Sequence, residues 1–427
     1  MGKMKEIIIM QPGPLHLFWT IGVYYFWQLK DRYDFVFIVS ENYRDNEQFM
    51  KLAALDSIRH IEYMSDKGIW RKHFNYHRKL KKNLQMYSPT YFLMHNRSYV
   101  ENQYLLYWAH RICPNAIRYY YQNGRMSLRW KDDFSARKAE KVKILAEKYP
   151  RLLKHLGLAG ELVEMHNSFA FFLNLKVLPL LVCRTLFRPP VNVFTGHIDR
   201  QATYEQSNTN RDHLLAYLDN EIAAYRTQGI KNILQIRHPL TESAMDVFKF
   251  LYGDFRESNI ILILPSYGFT SRMIESGWQR DDLVNHVAGK WCVALEKFSK
   301  NFPGFELRMK LHPGAVKDPL WRDIIKEILL HVQNLQIIAA SESAEWYVVQ
   351  SRVIVGDVTS VLWWAGMLGG KIVISLDIFG YPGGGELEFY KGLLHYVDNL
   401  EEIPTGPLSE DIKKHPQDLQ HLFPNRG

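Results

Sequence analysis

The sequence predicts an α/β protein of two successive parallel-sheet domains with a helical region between them. Three observations carry this. Short strand patterns alternate with helix-length segments from Glu6 to Gly124. The alternation stops over residues 125–225, which are helix-rich, and resumes near Lys231. The strands, such as "DFVFIVS" and "NIILILPS", are continuous apolar runs, the pattern of strands covered on both faces.

The elements follow in order. Glu6–Met10 reads as a strand, Leu15–Lys30 as a helix and Asp34–Ser40 as a strand. A short strand ends "DSIRHIEYM", Arg71–Tyr87 is a basic helix, Thr90–His95 a strand and Tyr99–Ile112 a helix. Ala116–Gly124 is a strand ending in an Asn-Gly turn, a pair that readily adopts positive φ. In the second block Asn259–Ser266 is a strand, Leu283–Phe298 a helix, Phe305–Pro313 a strand and Pro319–Val332 a helix. "LQIIAA" is a strand, Ser341 a candidate N-cap for a helix through Gln350, and "RVIVGD" the next strand. Thr359–Leu368 is a helix and "KIVISL" a strand. The expected domains are 1–225, including an insertion at about 125–225, then 226–400, with a proline-bearing tail over 401–427.

Composition narrows the function classes. With 427 residues, 47% hydrophobic and 14% aromatic, both domains have material for a packed core, so wholesale disorder is excluded. The net charge of +8 favours anionic partners: nucleotides, phosphorylated acceptors or acidic lipid headgroups. Three scattered cysteines make neither a zinc pattern nor a disulfide framework, so a reducing, cytoplasmic setting is expected. The short apolar run before Pro12 is too brief for a signal-peptide core. Phe169–Phe187 is broken by Lys176, Pro179 and Arg184; it reads as a buried segment or an interfacial one, and not as a span. The basic-aromatic stretch Trp70–Lys82 reads either as the solvated face of a helix or as a contact for an anionic acceptor or membrane surface. No recognised nucleic-acid-binding fold accompanies the charge.

The chemistry concentrates in residues 308–385. A strand ends in Lys310-Leu311-His312-Pro313-Gly314, and a later one ends in Gly356-Asp357 and opens into a helix through Thr359 and Ser360. On an extended strand Lys310 and His312 share a face, and an imidazole there could donate to a phosphate or protonate it as it leaves. Ser and Thr at a helix start cap its orphan N–H groups, and those groups with the helix dipole attract phosphate. His312 and the Gly356–Ser360 turn both stand at strand carboxyl ends, where parallel sheets bind ligands. A second His-Pro pair, His238-Pro239, shows how little the dipeptide means by itself. Trp363 and Trp364 read as core packing. The loop Gly380–Glu388 carries three consecutive glycines, with Glu386 and Glu388 as carboxylates able to accept from ribose hydroxyls.

The strand "KLHPG" followed by "VIVGDVTSVLWWAGMLGGKIVIS" resembles the donor-side domain of GT-B-fold glycosyltransferases. The nearest pattern is that of cytidine-nucleotide users: bacterial sialyl- and polysialyltransferases, Kdo transferases, and CDP-glycerol glycerophosphotransferases. The resemblance is close over 308–385 and architectural elsewhere. It implies a GT-B fold of two facing Rossmann-like domains, a CMP-sugar donor, a glycan acceptor that can be lipid-linked, and no metal or other cofactor. It places the protein in the bacterial cytoplasm, with peripheral contact to the inner face of the membrane. His312 would contact or protonate the leaving CMP. Thr359 and Ser360 would bind its phosphate, with Lys310, Pro313, Gly314, Asp357 and Glu386 completing the donor side. Those sialyl- and Kdo-transferases also carry an acidic-acidic-glycine motif. Here Gln122-Asn123-Gly124 stands at the matching strand end on the acceptor side, and an amide can hydrogen-bond an acceptor but cannot deprotonate it. Either the carboxylate comes from elsewhere, with Glu275 foremost beside Asp246, Asp281 and Asp282, or the chemistry differs. The alternatives are a CDP-glycerol or ribitol phosphotransferase, a sugar-nucleotide epimerase, and a non-catalytic binding subunit of the same fold.

Overall fold

The computed structural model describes residues 5–13, 15, 18–64, 69–95, 100–121, 211–219, 222–223, 226, 232–254, 256–267, 270, 273–274, 276–339, 342–357, 359–380, 393–406 and 422–423. The chain divides into two compact units, Met1–Arg237 with Pro416–Gly427, and His238–His415.

In the first unit β1 (Ile7–Gln11), β2 (Asp34–Ser40), β3 (Ile58–Met64), β4 (Tyr91–His95), β5 (Ile117–Tyr121), β6 (Asp212–Ala216) and β7 (Ile233–Gln235) make one sheet among the described residues. All its pairings are parallel and its order is β3-β2-β1-β4-β5-β6-β7. The restart of alternation near Lys231 is therefore not the start of the second sheet. Ile233–Gln235 pairs with Leu214–Ala216 and extends the first.

The helices are α1 (Val23–Leu29), α2 (Glu47–Ala53), α3 (Ile69–Tyr87) and α4 (Val100–Ile112). Within the helix expected over Leu15–Lys30, Phe18–Gly22 is a π-helical turn that leads into α1. That turn seats Phe18 among Phe37, Tyr43 and Phe49, with ring centroids 5.6–5.9 Å apart. On α3, Tyr76, Leu80 and Leu84 face the core while Arg78, Lys81 and Lys82 are exposed; Lys79 instead pairs with Glu62 at 2.6 Å. Both readings of that basic stretch need such an exposed face.

Two tertiary contacts tie distant chain into this unit. Arg118 on β5 and Asp212 on β6 form a fully buried bidentate pair at 2.6 and 3.1 Å, and the Tyr120 hydroxyl donates to the same carboxylate at 3.0 Å. Phe423 packs its ring on Tyr33, Tyr91 and Tyr119, and its carbonyl accepts from Arg32 at 2.8 Å. Residues 407–421 and 424–427 of the tail lie outside the described residues. So does almost all of the expected helical insertion, including Phe169–Phe187.

In the second unit α5 (Leu240–Tyr252) precedes β8 (Ser258–Leu264), α6 (Arg280–Asn301) and β9 (Glu306–Lys310). Then follow α7 (Pro313–Lys317), α8 (Pro319–His331), β10 (Leu335–Ile338), α9 (Ala344–Gln350), β11 (Ser351–Gly356), α10 (Ser360–Leu368), β12 (Ile372–Leu376) and β13 (His395–Val397). The sheet is again parallel throughout, ordered β10-β9-β8-β11-β12-β13. Renumbered from its own first strand this is 3-2-1-4-5-6, the doubly wound Rossmann order. The strand order reverses between β8 and β11, and there the carboxyl ends leave a crevice.

Two sequence expectations shift here. Ser343, and not Ser341, caps α9, its hydroxyl accepting from Trp346 N–H at 3.2 Å; Ser341 lies outside the described residues. The strand expected to reach Pro313 stops at Lys310, because Pro313 has no N–H for the ladder and its fixed φ starts α7. Trp363 and Trp364 are 1% and 3% exposed, as core packing requires. Among the described residues no helix is long and apolar enough to cross a membrane.

Candidate functional site

The second sheet places three strand ends beside one another: β9 running into His312, β8 into Ser266 and Tyr267, and β11 into Asp357 and Thr359. A continuous series of contacts joins them. The ring of His312 is parallel to that of Tyr267, at 5.5 Å between centroids and 2° between planes. The next residue back, Ser266, donates its main-chain N–H to Asp357 Oδ1 at 2.6 Å. Asp357 is fully buried, and its carbonyl accepts from Ser375 Oγ on β12 at 3.2 Å.

His312 caps α7. Its Nδ1 accepts the Gly314 N–H at 3.0 Å, so in the neutral ring the proton is on Nε2. Desolvation, and then the Lys310 charge, hold its pKa below the ordinary imidazole value. Protonation would also put a second hydrogen between Nδ1 and the Gly314 N–H. The side chain is nevertheless exposed. At neutral pH it is an uncharged donor open to a ligand.

Two glycines make these approaches possible. A Cβ on Gly314 would lie 2.8 Å from Tyr267 Cε1. One on Gly356 would lie 2.6 Å from the carbonyl oxygen of Leu264, its partner on β8.

Thr359 is the N-cap of α10, with extended backbone and its hydroxyl accepting from Val361 N–H at 3.4 Å. Ser360 is the first residue of that helix. The remaining N–H groups of its first turn point along the axis toward the sheet's carboxyl edge, a setting that favours negative charge.

Lys310 is placed differently from the expected phosphate-facing cation. It is 6% exposed and donates to the Ala339 carbonyl at 2.9 Å, across to the end of β10. Burial lowers its pKa, against the pull of Glu342 and Glu345. Its nearest consequence for the site is electrostatic, through His312.

Of the other sequence candidates, Asp246 lies exposed in the middle of α5, and Asp281 and Asp282 lie exposed in the first turn of α6. Glu275, Glu386, Gln122, Asn123 and Gly124 lie outside the described residues. Sequence reading passed over Ser266 and Tyr267. The available signal was "LPSYG" directly after the most apolar strand of the second block.

His238 has the same local geometry as His312: its Nδ1 accepts the N–H two residues on, from Leu240, at 3.2 Å. It is 1% exposed, its ring meets Trp363 edge-on, and burial pushes its pKa down to about 3. That histidine belongs to the core.

No family model and no curated protein matches the sequence. Solved structures do resemble it in fold. One is the UDP-GlcNAc 2-epimerase from Methanocaldococcus jannaschii: 12% identity, TM-score 0.55, covering 94% of this chain and 90% of that one. Another is the UDP-GlcNAc 2-epimerase from Neisseria meningitidis, bound to UDP-GlcNAc: 12% identity, TM-score 0.51, covering 94% and 89%. With two parallel doubly wound sheets and this likeness over nearly its whole length, the chain has the GT-B fold of two Rossmann-like domains.

Proposed function

We propose that the protein is a nucleotide-sugar enzyme of the GT-B class, a glycosyltransferase whose donor phosphate sits at the carboxyl ends of β8, β9 and β11. The observation that carries this is His312: an exposed, neutral imidazole with its proton on Nε2, linked by contacts to Asp357, two residues ahead of the α10 N-cap at the sheet's switch point. In this reading Nε2–H donates to a phosphate oxygen, and the α10 N-terminus stabilises the charge that grows as the nucleotide departs. Donation is favoured over outright protonation, because the site disfavours imidazolium. In this reading the phosphate is held by neutral donors and a helix N-terminus. Glu386 would accept from the ribose, and Glu275 would supply the carboxylate. Gln122, Asn123 and Gly124 would meet the glycan acceptor.

The donor in this reading is CMP-linked sialic acid or Kdo, and the acceptor a cell-surface glycan of capsule, lipooligosaccharide or O-antigen. Support comes from the "KLHPG…GDVTS" pattern. The structures similar in fold are named as enzymes of UDP-GlcNAc, so a uridine donor is the second reading.

One thermal-shift panel separates the readings: CMP, CDP, UDP and UDP-GlcNAc against the full chain and His312→Ala. A ligand at about 100 times its Kd adds roughly 2.7 kcal/mol, several degrees in a domain of this size. The expected result is stabilisation by CMP or CDP that falls sharply in His312→Ala, since a hydrogen bond to a charged group contributes about 1.5–3 kcal/mol. Stabilisation by UDP species alone replaces the cytidine assignment. A shift undiminished in His312→Ala removes the site.

A further inference from the structure

Tyr267 is held by two main-chain bonds, one at its neighbour and one at its own carbonyl. Its neighbour Ser266 is fastened to Asp357 by the 2.6 Å bond from its N–H. Its own carbonyl accepts from Thr270 Oγ1 at 3.1 Å, and that hydroxyl accepts from Trp321 Nε1 on α8 at 3.0 Å. Thr270 and Trp321 are both fully buried, so the brace is anchored in the core. Held in this way, the phenol ring lies parallel to the His312 imidazole in an offset stack and against the Gly314 backbone.

We propose that Tyr267 is the positioning residue for His312: its parallel ring restricts rotation of the imidazole about χ2, so that Nδ1 stays the acceptor of the Gly314 N–H and Nε2 stays the donor offered to the ligand. A histidine with a free face rotates about χ2 and exchanges its two nitrogens between these roles. Here one face meets the phenol in the offset stack and one nitrogen is engaged by the main chain. Lys310 is the charged group whose field reaches the ring. The stack contributes geometry; the phenol hydroxyl is not required. The inference deepens the phosphate-site reading and rests on it only for the purpose of the donor.

The test is the imidazole 15N spectrum of the full-length chain. The His312 signals among the 17 histidines are assigned by their loss in His312→Gln. At neutral pH wild type and Tyr267→Phe should both show one acceptor-type nitrogen at Nδ1 and one N–H at Nε2. Tyr267→Leu should show averaged shifts, and its affinity for the stabilising nucleotide should fall toward that of His312→Ala while Tyr267→Phe keeps the wild-type value. An unchanged tautomer in Tyr267→Leu overturns the positioning role, even if nucleotide binding still depends on His312. A tautomer that responds in a chain that binds no nucleotide leaves the positioning intact and removes the phosphate reading.

Discussion

Asp357 Oδ1 accepts the Ser266 N–H at 2.6 Å, joining the carboxyl ends of β11 and β8 at the point where the second sheet reverses its order. The bond ties the two strand ends together. With Gly356 against the Leu264 carbonyl, it lets the loop after β8 reach over toward β9.

Breaking that clamp should therefore act on stability and on the site together. Asp357→Ala is expected to lower unfolding free energy by about 2–3 kcal/mol, the cost of losing a buried acceptor. It should also weaken nucleotide stabilisation. Asp357→Asn keeps an acceptor oxygen at the same place and should retain most of both. Denaturant titration of the three proteins measures this, and equal midpoints for wild type and Asp357→Ala would remove the clamp.

His238 makes acid stability predictable in sign. Its folded pKa, about 3, lies below the ordinary value of 6.5. The unfolded chain therefore takes up a proton that the folded one refuses. The resulting stability is fully present above pH 6.5 and is lost as pH falls toward 3, at up to about 1.4 kcal/mol per pH unit. Thermal midpoints recorded between pH 7 and 4 should fall less steeply in His238→Gln than in wild type. Parallel curves would show that another group carries the acid sensitivity.

The Arg118–Asp212 pair offers a test in the first unit. Both side chains are at most 1% exposed, so truncating one strands the other's charge. Arg118→Ala should cost about 3–5 kcal/mol, whereas Arg118→Met with Asp212→Leu should recover most of that, since an apolar pair of similar volume needs no desolvation. Unfolding of the two variants decides it. A double variant as weak as the single one would show that the pair supplies more than mutual neutralisation, for instance through Tyr120.

The two His-Pro turns show how far local sequence reaches. His238 and His312 both place Nδ1 on the N–H two residues ahead. Nothing within either tripeptide says that one ring is sealed against Trp363 and the other is open at a strand end. Lys310 is similar: strand alternation put it on the His312 face, but the neighbouring strand end supplied the Ala339 carbonyl that takes up its ammonium.

Continuous apolar runs, proline and glycine punctuation, and N-cap residues thus determined the parallel sheets, the β9–β12 succession and the strand ends where chemistry collects, because these depend on local periodicity and backbone sterics. The assignment of Ile233–Gln235 to the first sheet, the docking of Phe423 on Tyr33, Tyr91 and Tyr119, the Asp357–Ser266 clamp and the Tyr267–His312 stack were decided only by tertiary structure. Each joins residues far apart in the chain, and such contacts form only when the whole sheet sets which strand ends become neighbours.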